Sequence, residues 1–277
     1  MNDAPGMLYI ISTPIGNLGD LSPRAVETLK RVAVVLAEDT RHSRPLLQRF
    51  EVETPLLSYH EHNEARTADA LVARMAAGES MALISDAGTP LLSDPGARLV
   101  AAAIAAGVRV VPIPGASALL PALVASGISA ARFTFFGFLE RKGAERTSAL
   151  AEIASLSHTA VLYEAAPRVA ATLRDLSGVG CGARPGVVAR ELTKQFEELR
   201  RGTLDELAAY YDDAPPRGEV VLVIAGAPPV VADENVARER ARALRAGGLS
   251  ARDVARTLVA EQGITRNVAY RLAQEED

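Results

Sequence analysis

The sequence contains a single cysteine, Cys181, among its 277 residues. A lone thiol excludes an internal disulfide framework, which is typical of proteins in a reducing cytoplasm. Cys181 lies in GVGCGARPG, a segment with no neighbouring base that could activate it as a nucleophile. The four histidines lack metal-ligand spacing, since the pair His60 and His62 does not make a site by itself. We therefore expect no metal centre.

Long apolar runs and a strong charge bias are also absent. The longest candidate, LVAAAIAAGVRVVPI, is interrupted by Gly107, Arg109 and Pro112 and falls short of the ~20 residues that span a membrane. The N-terminus lacks the basic and apolar pattern of a secretion signal. The net charge of −4 gives no global basic field that would attract nucleic acid. An apolar content of 48% with 23% charged residues is typical of a globular protein, and the length favours two domains.

The first half of the sequence alternates regularly between strands and helices. The strands MLYIIS, VAVVLAE, SMALIS and VRVVPI are rich in Val and Ile and show no polar alternation. Such strands are covered on both faces, and their spacing predicts a parallel sheet with right-handed crossovers. Ser22 and Pro23 form a helix start, with Ser as the N-cap and Pro at the first helical position.

The pattern changes near Ala116 and predicts a second α/β domain of more mixed strand direction. Its strands are expected at ARFTFFGFL, SHTAVLYE, GVVARELT and GEVVLVIAGA, with helices at about 144–155, 167–177 and 203–211. The remaining residues look helical throughout. We therefore predict three parts, with boundaries at 1–115, 116–232 and 233–277.

The helical tail has the spacing of a helix–turn–helix. Ser250 is the expected N-cap of one helix, Gly263 the turn and Thr265 the start of the next. The apolar seam is predicted at Val254, Leu258, Val268 and Leu272, with Arg252, Arg256, Arg266 and Arg271 outside it. Between residues 235 and 274 eight Arg stand against three acidic residues. An RNA-docking arm, a lid and a DNA-binding module remain the alternatives.

Three loops rich in Gly, Pro and small hydroxyl residues follow strands of the first domain: residues 12–22, 85–96 and 112–118. Ligands of open α/β sheets bind at such strand ends. None of the loops is a G-x-G-x-x-G or G-x-x-x-x-G-K-[ST] phosphate motif, and none contains Lys or Arg. The alternative is three ordinary tight turns, but their clustering favours a site for a ligand of little negative charge, or for a cation.

The motifs together resemble the ribosomal RNA small subunit methyltransferase I family of the tetrapyrrole-methylase superfamily. The resemblance runs in order from about residue 7 to residue 226. It rests on LYIISTPIGNLGDLSPRAVETLK, AEDTRHSRPLL, SYHEHNE, LISDAGTPLLSDPG, VVPIPGASA, FTFFGFLERK, LYEAAPRV and RELTKQFEE.

The resemblance implies two α/β domains of the tetrapyrrole-methylase type, with S-adenosylmethionine in the cleft between them. It also implies a homodimer that methylates a ribose 2′-hydroxyl on a cytidine of small-subunit ribosomal RNA. By match to the motifs, the donor-site residues are Pro14, Asp86, Gly88, Thr89, Pro90, Ser117 and Ala118. Phe136 and Leu139 are candidates to pack on the adenine, with a place in the core as the alternative. S-adenosylmethionine carries a sulfonium cation and no phosphate, which suits loops without Lys or Arg.

The chemistry requires a destination for the proton of the ribose hydroxyl, which is a very weak acid. Candidates near the matching motifs are Glu38, Asp39, Glu164, Glu191 and Lys194. Each has a structural alternative, such as a Glu38–Arg41 pair at a helix start or a Glu191–Lys194 surface pair. Alignment of the reactants without a dedicated base is a further possibility.

Local basic clusters are the expected RNA contacts. Arg141, Lys142 and Arg146 are predicted to share one loop, Arg41 and Arg44 flank the cleft of the first domain, and Arg168 begins a helix. The expected partner is small-subunit ribosomal RNA or the subunit itself, in the cytoplasm and away from any membrane. Two alternatives remain, namely a methylase acting on a corrin or porphyrin precursor and a binding protein without catalytic activity.

Overall fold

The structure is a computed structural model that describes residues 6–228 and 234–275. The chain divides into two compact units, of which the first ends at Ala227 and the second begins at Pro228. Among the helices in these ranges, none combines the length and the apolar content that a membrane span needs.

The first unit contains a parallel sheet of five strands in the order β3-β2-β4-β1-β5. These strands are β1 (Met7–Ile11), β2 (Val34–Ala37), β3 (Leu56–Ser58), β4 (Met81–Ile84) and β5 (Arg109–Ile113). The helices that alternate with them are α1 (Pro23–Arg31), α2 (Thr40–Arg49), α3 (Glu61–Ala76) and α4 (Ala97–Ala105). The predicted parallel sheet is confirmed. Strand β3 is missing from the prediction because it has three residues and lies half-buried at the sheet edge.

The central strands of this sheet are buried on both faces, as their composition predicts. Leu36 and Leu83 belong to the apolar cluster on one face, whereas Val35 and Ile84 belong to the cluster on the other. Each such side chain contributes about 1.5–3 kcal/mol by leaving water. The helices on the two faces therefore fix the strands and, with them, the loops at the strand ends.

A second sheet in the same unit has the order β6-β7-β10-β8-β9. Its strands are β6 (Phe133–Phe138), β7 (Thr159–Ala165), β8 (Pro185–Arg190), β9 (Glu198–Thr203) and β10 (Glu219–Ile224). The surrounding helices are α5 (Leu119–Ser126), α6 (Ala144–Ser155), α7 (Val169–Leu176) and α8 (Leu204–Asp213). Strands β6 and β7 are parallel and the other pairs antiparallel, so the predicted mixed direction is confirmed. The prediction lacks β9, because its sequence ELRRGT has no apolar alternation.

The boundaries between the parts are less clear in the structure than in the prediction. Both sheets lie in one compact unit, and α5 packs on the second sheet through Leu119 and Leu123. A domain boundary near Ala116 therefore stays a prediction. The predicted boundary at 232/233 falls within residues 229–233, which lie outside the described residues, as do residues 1–5 and 276–277.

The second unit contains α9 (Glu234–Ala246), α10 (Ala251–Gln262) and α11 (Arg266–Gln274). The hydroxyls of Ser250 and Thr265 cap α10 and α11, and Gly263 ends α10 with a φ of 65°. The predicted seam forms the core of this unit, with Val268 only partly buried and the others fully buried. The four Arg predicted to lie outside the seam are exposed.

Candidate functional site

The three glycine- and proline-rich loops lie side by side at one edge of the first sheet. Strand β1 pairs with β4 on one side and with β5 on the other, all in parallel. Because the carboxyl ends of parallel strands share an edge, the loops 12–22, 85–96 and 114–118 follow three adjacent strands. The clustering predicted from the sequence is confirmed, at the place where open α/β sheets bind ligands.

Backbone hydrogen bonds join the first two loops. The N–H of Thr13 donates to the carbonyl of Gly88 at 2.8 Å, and the N–H of Gly88 donates to the carbonyl of Thr13 at 3.0 Å. The Thr13 hydroxyl donates to the Ser85 carbonyl at 3.0 Å. The Ser85 hydroxyl closes the turn by donating to the Gly88 carbonyl at 2.9 Å. These loops therefore form one connected surface.

Thr89 links the third loop to the other two. Its hydroxyl donates to the Ala116 carbonyl at 3.0 Å and lies 3.0 Å from the Ser12 hydroxyl. A hydroxyl has one proton, so Ser12 is the donor in the second bond. Gly115 lies close to the same point, since a Cβ there would come within 2.8 Å of the Ser12 Cβ. A larger residue would push the third loop away.

The loops form one wall of a cavity of about 370 Å³. Four of the residues predicted to bind the donor, Asp86, Gly88, Thr89 and Ala118, line it. The opposite wall belongs to the second sheet and includes Tyr163, Ala189, Glu219 and Val221. The volume lies within the range of about 300–1,000 Å³ that is usual for small-molecule sites.

The lining of the cavity is acidic. Asp86, Asp94, Glu164 and Glu219 contribute carboxylates, whereas no Lys, Arg or His in the described chain lines it. Glu164 is paired with Arg168 at 3.1 Å and Glu219 with Lys194 at 3.3 Å. Asp86 and Asp94 have no ion-pair partner among residues 6–228 and 234–275, so the negative charge of the cavity comes mainly from these two.

Asp94 is a cavity carboxyl whose pKa is shifted by its surroundings. Burial raises its pKa to about 6, and the nearby charges of Glu38 and Asp86 add to the effect. Asp94 is not among the site residues predicted from the sequence. The signal was present, because the loop contains Ser-Asp twice, at Ser85-Asp86 and again at Ser93-Asp94.

Glu38 lies close enough to interact with Asp86 but does not line the cavity. Burial raises its pKa, and the charge of Asp86 adds to that rise. Within the described ranges no group of three or more His, Cys, Asp or Glu is placed to hold a metal ion. The link between Glu38 and the cavity is the interaction of its charge with those of Asp86 and Asp94.

Glu191 and Lys194, the other catalytic candidates, form an ion pair at the cavity rim. The Lys194 Nζ lies 3.0 Å from Glu191 Oε1 and 3.3 Å from Glu219 Oε2. Burial opposes the charge of Glu191, but the hydrogen bonds from Lys194 and from the Glu219 N–H lower its pKa overall. Burial likewise opposes the charge of Lys194, and the two glutamates raise its pKa overall. A protonated lysine and a stabilised carboxylate are weak bases.

Asp39 and Glu164 are also committed to other contacts. Arg41 pairs with Asp39 at 2.8 Å. The expected helix-start pair of Arg41 with Glu38 is therefore wrong, because Asp39 is the acidic partner. This hydrogen bond with Arg41 lowers the pKa of Asp39 to about 2. Glu164 is buried and accepts hydrogen bonds from the Ala165 N–H and the Thr172 hydroxyl, besides its pair with Arg168. The Asp39 carboxylate therefore caps α2, whereas that of Glu164 is held within the cavity wall.

The remaining donor-site candidates lie behind the cavity surface. Pro14, Pro90 and Ser117 belong to the loops but do not line the cavity. Leu139 is 4% exposed in the core of the second sheet, and Phe136 packs against that core. This placement favours the core role for both residues, and their packing on an adenine stays a prediction. Among the described residues, the aromatic side chains that line the cavity are Phe138 and Tyr163.

The basic candidates divide into exposed and structural residues. Arg41, Arg44, Arg141 and Lys142 are exposed. The prediction that Arg146 shares one loop with Arg141 and Lys142 is wrong. Arg146 lies in α6, and its side chain is only 10% exposed and bound to Asp175 at 2.5 Å.

Arg146 also donates to the Thr172 hydroxyl and to the Glu140 carbonyl. Arg168 is half-buried and donates to the carbonyls of Leu139 and Glu140, which fixes the turn after β6. Arg146 and Arg168 therefore support the position of Arg141 and Lys142 in that turn.

The sequence matches the family described as Tetrapyrrole (Corrin/Porphyrin) Methylases over residues 7–208. The chain therefore belongs to the tetrapyrrole methylase family.

Within that family the curated relatives are more specific. The chain is 47% identical over 274 residues to Ribosomal RNA small subunit methyltransferase I of Synechocystis sp., with 98% of each chain covered. The protein of the same name from Pseudomonas aeruginosa is 44% identical over 272 residues, covering 97% of this chain and 96% of the relative.

Solved structures agree in fold at lower identity. Cobalt precorrin-4 methyltransferase matches with a TM-score of 0.60 and 19% identity, over 79% of this chain and 94% of the other. Uroporphyrin-III C-methyl transferase from Thermus thermophilus, complexed with S-adenyl homocysteine, matches with a TM-score of 0.56 and 20% identity, over 79% and 97%. These matches show the shared two-sheet fold.

Proposed function

We propose that the chain is an S-adenosylmethionine-dependent methyltransferase that acts on a ribose 2′-hydroxyl of a cytidine in small-subunit ribosomal RNA. Near-full-length relatives at 44–47% identity, named for that ribosomal RNA, support the substrate. The observation that carries the proposal is the cavity, which has unpaired carboxylates and no cationic lining in the described chain.

The cavity residues fit the donor in charge and in size. S-adenosylmethionine carries a sulfonium and an ammonium but no phosphate, so Asp86 and Asp94 offer complementary charge. Thr89, Gly88 and Ala118 offer hydroxyl and backbone groups from the joined loops. When bound, the donor supplies a methyl group that is activated by its positively charged sulfur.

Asp94 is the residue that we assign as the general base. The ribose hydroxyl must lose its proton as its oxygen takes the methyl group from the donor's sulfur, which leaves as a neutral thioether, and a carboxylate can accept that proton. A base is most effective when its pKa lies near the working pH, and Asp94, which lines the cavity and has a pKa of about 6, meets that condition. The ion pair of Glu191 and Lys194 then keeps the rim of the cavity in place.

A corrin or porphyrin precursor fits the cavity less well. Such substrates carry several carboxylates, which would meet four acidic side chains and no basic one on the described lining. Like charges brought together in this way cost binding energy. The acidic lining therefore favours an RNA substrate that inserts one neutral ribose.

The proposal includes an RNA-binding face, a homodimer and a cytoplasmic location. Arg141 and Lys142 are exposed beside the turn after β6 and are available for phosphates. Leu120 and Val124, one turn apart on α5, are 52% and 73% exposed and form an apolar strip that suits a second copy. Light scattering on the purified protein tests the dimer.

The function is tested by methyl transfer from labelled S-adenosylmethionine to unmodified small ribosomal subunits, both mature and immature. We expect a 2′-O-methylcytidine in the nucleoside digest. A protein that binds the donor and transfers nothing to either substrate would instead be the binding protein without catalytic activity. Transfer to a tetrapyrrole precursor would support the small-molecule alternative.

A further inference from the structure

Phe138 is a large aromatic side chain on the cavity wall. It is the last residue of β6, and 55% of it is exposed. Its ring contacts Tyr163 with centroids 5.6 Å apart and the planes at 59°. Tyr163 is itself in contact with Phe135 at 4.8 Å, so Phe138 stands at the open end of a supported aromatic row.

A β-bulge directs Phe138 into the cavity. Phe135 pairs with Val161 and Gly137 with Leu162, so β6 carries one extra residue, Phe136, at this point. In a regular strand Phe136 and Phe138 would share one face, because side chains alternate. The bulge breaks the alternation. Phe136 packs on the core, whereas Phe138 lines the cavity.

The bulge also depends on a glycine. Gly137 has a φ of 63°, a left-handed conformation that favours glycine. A Cβ at this position would lie 2.8 Å from the Ser93 hydroxyl, so the bulge packs directly against the loop that carries Asp94. The exposed ring is therefore held at a fixed place beside the proposed base.

The cavity has room for one small ligand. Its volume of about 370 Å³ lies at the small end of the usual range for one small ligand. With the donor inside, the target ribose must approach in line with the methyl group, and its nucleobase then remains at the mouth. A nucleotide that leaves its helix or stack needs a new stacking partner, and proteins usually supply an aromatic ring.

We propose that Phe138 is the stacking platform for the nucleobase of the target nucleotide, and that it thereby selects and positions the RNA substrate. The inference rests on the proposed function, because it needs a nucleotide whose ribose enters the cavity. The adenine of the donor shares the same stacking chemistry. The experiments below separate these two sources.

The first experiment measures Phe138→Ala on unmodified small ribosomal subunits. We expect kcat/KM for the subunits to fall about fivefold to a hundredfold, the loss that corresponds to one stacked base. The dissociation constant for S-adenosylmethionine, measured by calorimetry, should stay within about twofold of the wild-type value. Phe138→Tyr keeps the ring and should restore most of the activity.

Phe133→Ala is the matched control. Phe133 is the first residue of the same strand, is 37% exposed and does not line the cavity. Its loss should leave kcat/KM for the subunits unchanged. An equal fall in both variants would show a general effect on β6 and would overturn the proposal.

The second experiment uses Phe138→Trp. The chain has no tryptophan, so this variant carries a single indole at the cavity mouth. Titration with S-adenosylhomocysteine should leave its fluorescence nearly unchanged, because the adenine is expected to bind away from the ring. Strong quenching of the indole, or a lower affinity of Phe138→Ala for the donor, would show that the ring contacts the donor. Either result would overturn the inference. A wild-type protein that methylates no subunit would instead contradict the proposed function.

Discussion

Thr13 and Gly88 exchange two backbone hydrogen bonds, at 2.8 and 3.0 Å, although the strands that precede them run parallel. The two loops therefore turn towards each other beyond the ends of β1 and β4 and meet as an antiparallel pair. Gly88 makes this possible with a φ of 85°. The pair forms part of the cavity wall, so its geometry affects every ligand group placed there.

Gly88→Ala should lower stability and weaken donor binding. The left-handed conformation costs an L-residue about 1–2 kcal/mol, which loosens the pair with Thr13. Gly107→Ala is the control, since Gly107 has a φ of 75°, open space around it and no place in the cavity. The melting temperature should fall in both variants. Calorimetry should show weaker donor binding only for Gly88→Ala. Equal donor affinity in the two would separate the loop pair from binding.

Asp86→Asn should weaken the binding of S-adenosylmethionine without unfolding the protein. The substitution keeps the shape of the side chain and removes a charge that lines the cavity without an ion-pair partner in the described chain. Loss of one charge-assisted hydrogen bond costs about 1.5–3 kcal/mol, roughly a tenfold to hundredfold change in the dissociation constant. Asp69→Asn, on the exposed surface of α3, makes the same charge change away from the site and should leave the affinity unaltered. Unchanged donor affinity in Asp86→Asn would remove this residue from the site.

Much of the first sheet could be predicted, because its buried strands and helix starts are local signals. The Ser22 cap, the central strands and the three loops follow from residue type and spacing alone. Strands β3 and β9 could not be predicted in this way, since both are edge strands with few buried residues. Their position depends on the neighbouring strands that they extend.

The candidate site was predictable in its loops and less so in its individual side chains. The loops follow from residue type and spacing, whereas Asp86, Thr89 and Phe136 were expected only from the family resemblance. The β-bulge that brings Phe138 to the cavity has no signature in FTFFGFL. Arg146 was grouped with Arg141 because the sequence does not show that Asp175, 29 positions later, lies beside it. The β-bulge and the pairing of Arg146 with Asp175 both depend on contacts between residues that are distant in the chain.

The activity should depend on the ionisation of Asp94. A carboxyl with a pKa of about 6 is protonated below that value and cannot accept the ribose proton, so kcat/KM should rise with pH through about 6 and then level off. Asp94→Asn should lower the rate and remove this inflection. An inflection that persists in Asp94→Asn would assign the base to another group.

The same variant should raise stability at neutral pH. The folded pKa of about 6 lies above the ordinary pKa of 3.8 for this group, so the folded state holds a proton that the unfolded state has lost between these values. Stability is therefore lost as the pH rises through this range. The melting temperature of Asp94→Asn should exceed that of the wild type at pH 7.5, and the difference should shrink at pH 4. A lower melting temperature at both values would contradict the direction of the shift.

Replacing Arg141 and Lys142 together by Ala should weaken RNA binding in a salt-dependent way. Each lost phosphate contact should reduce the log–log salt slope by about 0.7–0.9, and donor affinity should not change. Arg146→Ala should behave differently, because its guanidinium is bound to Asp175 and Thr172 and its loss costs about 1–3 kcal/mol of stability. Its melting temperature should fall. An unchanged salt slope in the double variant would show that these side chains do not contact RNA.

Deletion of residues 233–277 should leave donor binding intact and lower activity on ribosomal subunits. The first unit has its own apolar clusters and contains every residue that lines the donor cavity, so the shortened chain should fold and bind S-adenosylmethionine.

The second unit carries exposed arginines, of which Arg252 and Arg266 are in no ion pair within the described ranges. A double variant of these two to Ala tests the charge alone, and Arg256, which is bound to Asp253 at 2.7 Å, serves as the control. The double variant should raise KM for the subunits, whereas Arg256→Ala should change it little. A shortened protein with full activity would show that the tail does not bind RNA, and one that loses donor binding would show that the donor site is not complete within the first unit.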